Sequence, residues 1–152
     1  YWVEAPFGGQ FLSALLGPDD GAGSAPAQGD KPDETEVTAF QAELTALVER
    51  WRHDLETAGA ADRVVVWGAG SKSVTFLNLT RPESRGVRAV VDINPHKQGK
   101  FVPESGQPIV APAELRHIAP DTVLVMNPLY VDEIRSTLAE LDLHPRVCSV
   151  VT

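Results

Sequence analysis

Three clusters in this 152-residue chain have residue types and spacing suited to holding a polar, phosphorylated ligand. The first is Gly68-Ala69-Gly70-Ser71-Lys72, which follows the apolar run Val64-Val65-Val66-Trp67. Glycines there let the backbone approach a ligand closely, and a helix starting after them aims free N–H groups and a positive dipole end at the same spot. The second opens at Asp92, which ends the run Val87–Val91 and lies 22 positions after Gly70. A dinucleotide-binding α/β unit keeps its ribose-binding acid at about that interval. Asn94, Lys97, Gln98 and Lys100 follow it. The third is Asn127-Pro128-Leu129-Tyr130, where an amide and a phenol are able to hydrogen-bond a polar ligand.

Each cluster has a plainer reading beside the chemical one. Gly68 and Gly70 either bring phosphate onto backbone amides or serve a tight strand-to-helix turn by geometry alone. Ser73 stands where G-x-G-x-x-G would have its third glycine. Lys72, in the first helical turn, is unfavourable beside the helix dipole, which implies an anionic ligand, a carboxylate partner or an ordinary surface lysine. Asp92 either bonds a sugar hydroxyl or orders the Asn94-Pro95 turn through an Asx-type bond. Lys97 and Lys100 meet phosphate, a partner domain or solvent, with Glu104 near enough in sequence to offset their charge. Asn127 caps the helix after Pro128, binds a ligand, or does both. His96, His117 and His144 lack metal-like spacing, and no Ser/His/Asp or Cys/His arrangement can be drawn. Neither catalytic residues nor metal ligands are therefore expected.

The elements that must position these clusters follow from hydrophobic periodicity. Strands are expected near 63–67, 87–91, 122–126 and 146–150, with a short one near 108–110, and helices near 72–80, 112–117 and 130–141. Strands alternating with helices imply right-handed crossovers and a parallel sheet covered on both faces. The expectation is an α/β, Rossmann-like three-layer αβα domain with strand order 3-2-1-4-5. The three clusters then meet at the carboxyl ends of the strands, by the switch point. Ahead of the sheet, Val37, Phe40, Leu44, Leu47, Val48, Trp51 and Leu55 recur at steps of mostly three and four. They predict a long amphipathic helix over 37–58 packed on one sheet face, with acids at 33–36 near its start, Gly59 as its cap and His53 solvated. Residues 17–36 read as a flexible linker, and residues 1–16 as an apolar segment that needs a partner surface.

Composition bounds the rest. A formal net charge of −8 argues against a nucleic-acid-binding face. The one cysteine, Cys148, is expected as a buried thiol on the last strand. No apolar stretch reaches a membrane-spanning length, and no signal peptide is visible, so a cytoplasmic location is expected. The chain starts at Tyr1 without methionine and is expected to be a fragment or processed piece.

The run Val64 to Asn78, the run Val91 to Pro103 with its Asp92-Ile93-Asn94-Pro95-His96-Lys97-Gln98-Gly99-Lys100 core, Pro108-Ile109-Val110 and Val125-Met126-Asn127-Pro128 together resemble one family. It is the C-terminal domain of S-adenosylmethionine-dependent C-methyltransferases of the nucleotide-deoxysugar type, where a zinc-binding domain and a methyltransferase core come first. The resemblance covers about residues 37–152. It departs at Ser73, where the family carries a small residue or glycine, and at Pro103-Glu104-Ser105-Gly106, where the family has Pro-Gly-x-Gly. Phe7-Gly8-Gly9-Gln10-Phe11-Leu12 resembles the segment leaving the core. The resemblance implies a substrate-side module beside its own methyltransferase core. It further implies that the core binds S-adenosylmethionine, that a nucleotide-linked sugar is the substrate, and that this chain holds no cofactor of its own and is inactive alone. Two alternatives stand beside it. One is a structural or homo-oligomerising domain with a degenerate nucleotide fold, and the other is an independent nucleotide-sugar-binding domain of another enzyme.

Overall fold

The computed structural model describes residues 2–4, 13–15, 33–59, 63–81 and 86–150. The contacts divide the chain into two units, Tyr1–Val37 and Thr38–Thr152. In the first, strands β1 (Trp2–Glu4) and β2 (Ser13–Leu15) pair antiparallel, with Trp2 opposite Leu15. The rest of the 1–16 segment and most of the 17–36 linker lie outside the described residues. The linker's last three residues are helical instead, because α1 spans Glu34–Gly59. Asp33 starts it with a reciprocal capping box: its carboxylate accepts from Glu36 N–H at 2.7 Å, and its own N–H donates to the Glu36 carboxylate at 3.1 Å. What terminates α1 after Gly59 lies outside the described residues.

In the second unit the strands are β3 (Val64–Trp67), β4 (Val87–Val91), β5 (Ile109–Val110), β6 (Thr122–Val125) and β7 (Arg146–Ser149). They form one parallel sheet in the order β5-β4-β3-β6-β7, which is the expected 3-2-1-4-5. The helices are α2 (Ser71–Leu79), α3 (Leu115–Ile118) after a 3-10 turn at Pro112–Glu114, and α4 (Val131–Glu140) after another at Pro128–Tyr130.

Alternation along the strands divides the core in two. Val64 and Val66 join Leu55, Phe76, Leu77 and Val90 on the face covered by α1 and α2. Val65 joins Val91, Leu115, Val123, Ile134 and Leu138 on the face covered by α3 and α4. The central strands are apolar in both directions because both faces are roofed. Each fully buried leucine, such as Leu77, Leu115 or Leu138, contributes about 1.5–3 kcal/mol of burial.

Two expectations need correction. Cys148 is only half-buried, because β7 is the outermost strand and has a neighbour on one side alone. The apolar stripe of α1 packs over half its length. Leu55 is buried and Trp51 packs edge-on against Phe76 with ring centroids 5.2 Å apart, but Phe40 stays 65% exposed and Leu44 38%. A 26-residue helix is about 39 Å long, whereas a four- or five-residue strand spans about 16 Å, so one layer cannot cover the whole stripe.

Candidate functional site

The carboxyl ends of β3, β4 and β6 bring the three clusters together at one edge of the sheet. The chain leaves β3 through Gly68, whose φ of +102° is a conformation for which glycine is suited. Its N–H donates to Val91 O at 2.7 Å, tying the turn to the end of β4. Gly70 differs. It is extended (φ −100°, ψ −176°), and a Cβ built on it meets nothing within 4 Å. Its space opens in front of α2.

α2 begins there without a side-chain cap. Its first ladder bond runs from Val74 N–H to Gly70 O at 3.1 Å, so the N–H groups of Ser71, Lys72 and Ser73 precede the ladder, at the positive end of the dipole. Lys72 is exposed and, among the described residues, pairs with no carboxylate. Ser73 is fully buried, and its hydroxyl donates to Gly68 O, closing the turn from inside the helix. A third glycine would lack that bond.

Asp92 is 7% exposed and spends its carboxylate on its own chain. One oxygen accepts from Asn94 N–H at 2.8 Å, the Asx-type bond that orders the Asn94-Pro95 turn. The other accepts from Ala69 N–H at 2.8 Å and from the Lys97 ammonium at 3.1 Å. Burial pushes this carboxyl up, but the bonds from Asn94, Ala69 and Lys97 outweigh it and hold it below the ordinary aspartate value.

Lys97 also donates to Ala69 O at 3.0 Å, so one ammonium joins the glycine turn to the acid. Gln98 donates from its amide to Asp92 O at 2.9 Å, and Asn94 accepts from His96 N–H at 2.9 Å. Lys97 and Gln98 therefore brace the loop from within. Glu104 pairs with Arg81 at 3.2 Å rather than with either lysine, and Lys100 pairs with no carboxylate among the described residues. On the third loop Asn127 accepts from Leu129 N–H at 3.2 Å, capping the 3-10 turn ahead of α4, and Tyr130 projects half-exposed.

Of the ten sequence-predicted residues, Gly68, Asp92, Asn94, Lys97 and Gln98 build the edge, and Asn127 caps its neighbour. Gly70, Ser71, Lys72 and Tyr130 face open space or solvent at it. Sequence reasoning missed the bracing by Ser73, a bond back to Gly68 O across a single turn, and by Lys97, whose bond to Ala69 O depends on strands that the chain brings side by side. It also missed Ile93 and Leu129, apolar side chains left exposed on the two flanking loops. An apolar residue directly beside a turn proline or asparagine was the available signal.

Among the described residues no three His, Cys, Asp or Glu side chains group as metal ligands, and no helix is long and apolar enough to cross a membrane. Residues 30–144 match the family model of the C-methyltransferase C-terminal domain. No curated protein matches the chain significantly.

Proposed function

The chain belongs to the C-methyltransferase C-terminal domain family, and on that premise we propose that it is the substrate-side module of an S-adenosylmethionine-dependent C-methyltransferase acting on a nucleotide-linked sugar. In this reading the carboxyl-edge turn holds a phosphate of the substrate, while methyl transfer belongs to the enzyme's methyltransferase core, this chain's partner in the cytoplasm. The observation that carries it is the uncapped start of α2, with open space at Gly70 and a Lys72 that pairs with no carboxylate among the described residues, in a chain of net charge −8.

An isolated cation at the positive end of a helix opposes the dipole, and an anion placed between the two relieves both. Phosphate oxygens in front of Ser71 would accept from backbone N–H groups and pair with the Lys72 ammonium. Ser73 and Lys97 act indirectly, by keeping the turn in shape. The residues do not fit an adenosine ribose in the way a dinucleotide site does: the acid that would receive the hydroxyls, Asp92, already accepts three bonds. That supports assigning S-adenosylmethionine to the core and none to this chain.

Isothermal titration with thymidine diphosphate tests the phosphate role. The chain is expected to bind it, and Lys72→Ala to weaken binding about tenfold, the loss of one charge-assisted contact. Absence of binding, together with an unchanged KM for the nucleotide-sugar in a Lys72→Ala full-length enzyme, would refute it.

A further inference from the structure

A second recess lies away from the glycine turn, between the later turns of α1 and the β6–β7 end of the sheet. It follows from the winding. α2 crosses from β3 to β4, and α3 and α4 serve the opposite face, so on this face β6 and β7 have only α1 above them among the described residues. α1 is tied elsewhere. Arg52 donates to Leu79 O at the end of α2 at 3.0 Å, Trp51 packs on Phe76, and the Trp51 indole N–H donates to Val150 O, just past β7, at 3.1 Å. Beside those ties a cavity of about 450 Å³ remains, the size of a small-molecule site. Its walls are apolar, from Leu55, Val64, Phe76 and Leu124. One polar group lies among them. Thr122, on the same face of β6 as Leu124, is 1% exposed, and its hydroxyl has no hydrogen-bond partner among the described residues. A buried hydroxyl without a partner is costly, so one that lines a cavity points to a ligand that supplies the partner. The mouth carries opposite charges on its two lips, Asp54 on α1 and Arg146 on β7. Both are exposed, and neither makes an ion pair among the described residues.

We propose that this cavity binds a free α-amino acid whose large side chain ends in a hydrogen-bonding group. The ammonium pairs with Asp54, and the carboxylate accepts two N–H groups of the Arg146 guanidinium. The side chain fills the apolar walls, and its polar tip meets the Thr122 hydroxyl. Charge selects this class. A simple carboxylate would set an anion beside Asp54, a simple amine would set a cation beside Arg146, and a phosphate would do the first more strongly. A ligand that carries both charges suits both lips. A peptide laid along β7 offers amide dipoles in place of full charges, and main chain at the outer edge of the strand leaves the Thr122 hydroxyl unpaired. The cavity shares no lining residue with the Gly68–Lys72 turn, so this site stands or falls apart from the phosphate reading.

L-Tyrosine is the probe, and Cys148, the one cysteine of the chain, is a reporter on the cavity wall. L-Tyrosine is expected to slow the reaction of Cys148 with an aromatic disulfide reagent severalfold. By titration calorimetry, N-acetyl-L-tyrosine, which lacks the ammonium, and tyramine, which lacks the carboxylate, are expected to bind about tenfold more weakly than L-tyrosine. Arg146→Gln is expected to erase the advantage of L-tyrosine over tyramine, and Thr122→Val its advantage over L-phenylalanine. Thr122→Val removes an unpaired buried hydroxyl, so its melting temperature is expected to equal or exceed that of the parent. No protection of Cys148 at the solubility limit of L-tyrosine, equal binding of L-tyrosine and its two analogues, or an equal effect of Thr122→Val on L-tyrosine and L-phenylalanine would each overturn the proposal. Protection of Cys148 that rises with protein concentration alone would put a second copy in the groove and overturn it as well.

Discussion

Asp92 and Lys97 are the pair on which the edge depends. A carboxylate that accepts from Asn94, Ala69 and Lys97 has its lone pairs directed at its own loops, and Lys97 adds a bond to Ala69 O. Asp92→Asn would turn an amide N–H₂ toward at least one donor, Asn94 N–H in one rotamer and Ala69 N–H with the Lys97 ammonium in the other. We expect it to destabilise the chain by about 2 kcal/mol in urea unfolding, the range for a charge-assisted bond replaced by a mismatched one. The half-exposed lysine keeps the figure from being larger. A change below about 0.5 kcal/mol, the ordinary scatter of surface substitutions, would show that the carboxylate is not structural. The sequence left Asp92 divided between sugar and turn. Its spacing to Asn94 was legible, but the approach of Lys97 and Ala69 was not, because Ala69 lies 23 positions away on another strand's loop.

At the scale of the element, the glycine turn into α2 separates two glycines that look equivalent in sequence. Gly68 needs its left-handed φ, so Gly68→Ala is expected to cost about 2 kcal/mol whatever the ligand does. Gly70 has an ordinary φ and room for a methyl group, so Gly70→Ala is expected to cost only about 1 kcal/mol, the preference for glycine over alanine at a helix start. The added methyl would nevertheless occupy the space where phosphate meets the helix start, and thymidine diphosphate binding should fall severalfold. Comparing the two variants by thermal melting and titration separates geometry from ligand approach. Unchanged binding in Gly70→Ala would leave that glycine without a role in the site. Elsewhere, periodicity placed α1 and the strands to within a few residues, and turn chemistry placed the cap at Asn127, but the capping box at Asp33 was not foreseen. It did not reveal that half of α1 lacks a layer to pack on.

For the whole molecule, the amino edge of the sheet is fastened by one ion pair. Arg63 donates to Asp121 from its backbone N–H at 2.8 Å and from two guanidinium nitrogens at 3.0 Å, while Asp121 O accepts from Arg146 N–H at 2.9 Å. The starts of β3, β6 and β7 are thereby joined. Hydrogen bonds from the Arg63 side chain and backbone lower the Asp121 carboxyl from 3.8 to about 2. A depressed carboxyl stabilises the folded chain above its unfolded value, and the contribution is lost as pH falls through the folded one. Asp121→Asn should therefore melt lower than the parent above pH 3.8, with the gap closing as pH approaches about 2. The pair is exposed, so the gap is modest. Parallel melting curves by circular dichroism over that interval would contradict the assignment if the gap did not narrow.

By itself the sequence determined the α/β alternation, the strand order, the glycine turn and the cap at Asn127, because apolar runs, helical periods and turn chemistry act over a few residues. The family resemblance it suggested now rests on the match over residues 30–144. Only the tertiary structure decided which polar groups are spent on the fold. Asp92, Lys97 and Gln98 are drawn inward by loops that β3 and β4 bring together, while Lys72 and the front of α2 face open space. Which half of the α1 stripe is core was also decided there, because the depth of the sheet, and not the pattern on the helix, sets how much of it is covered.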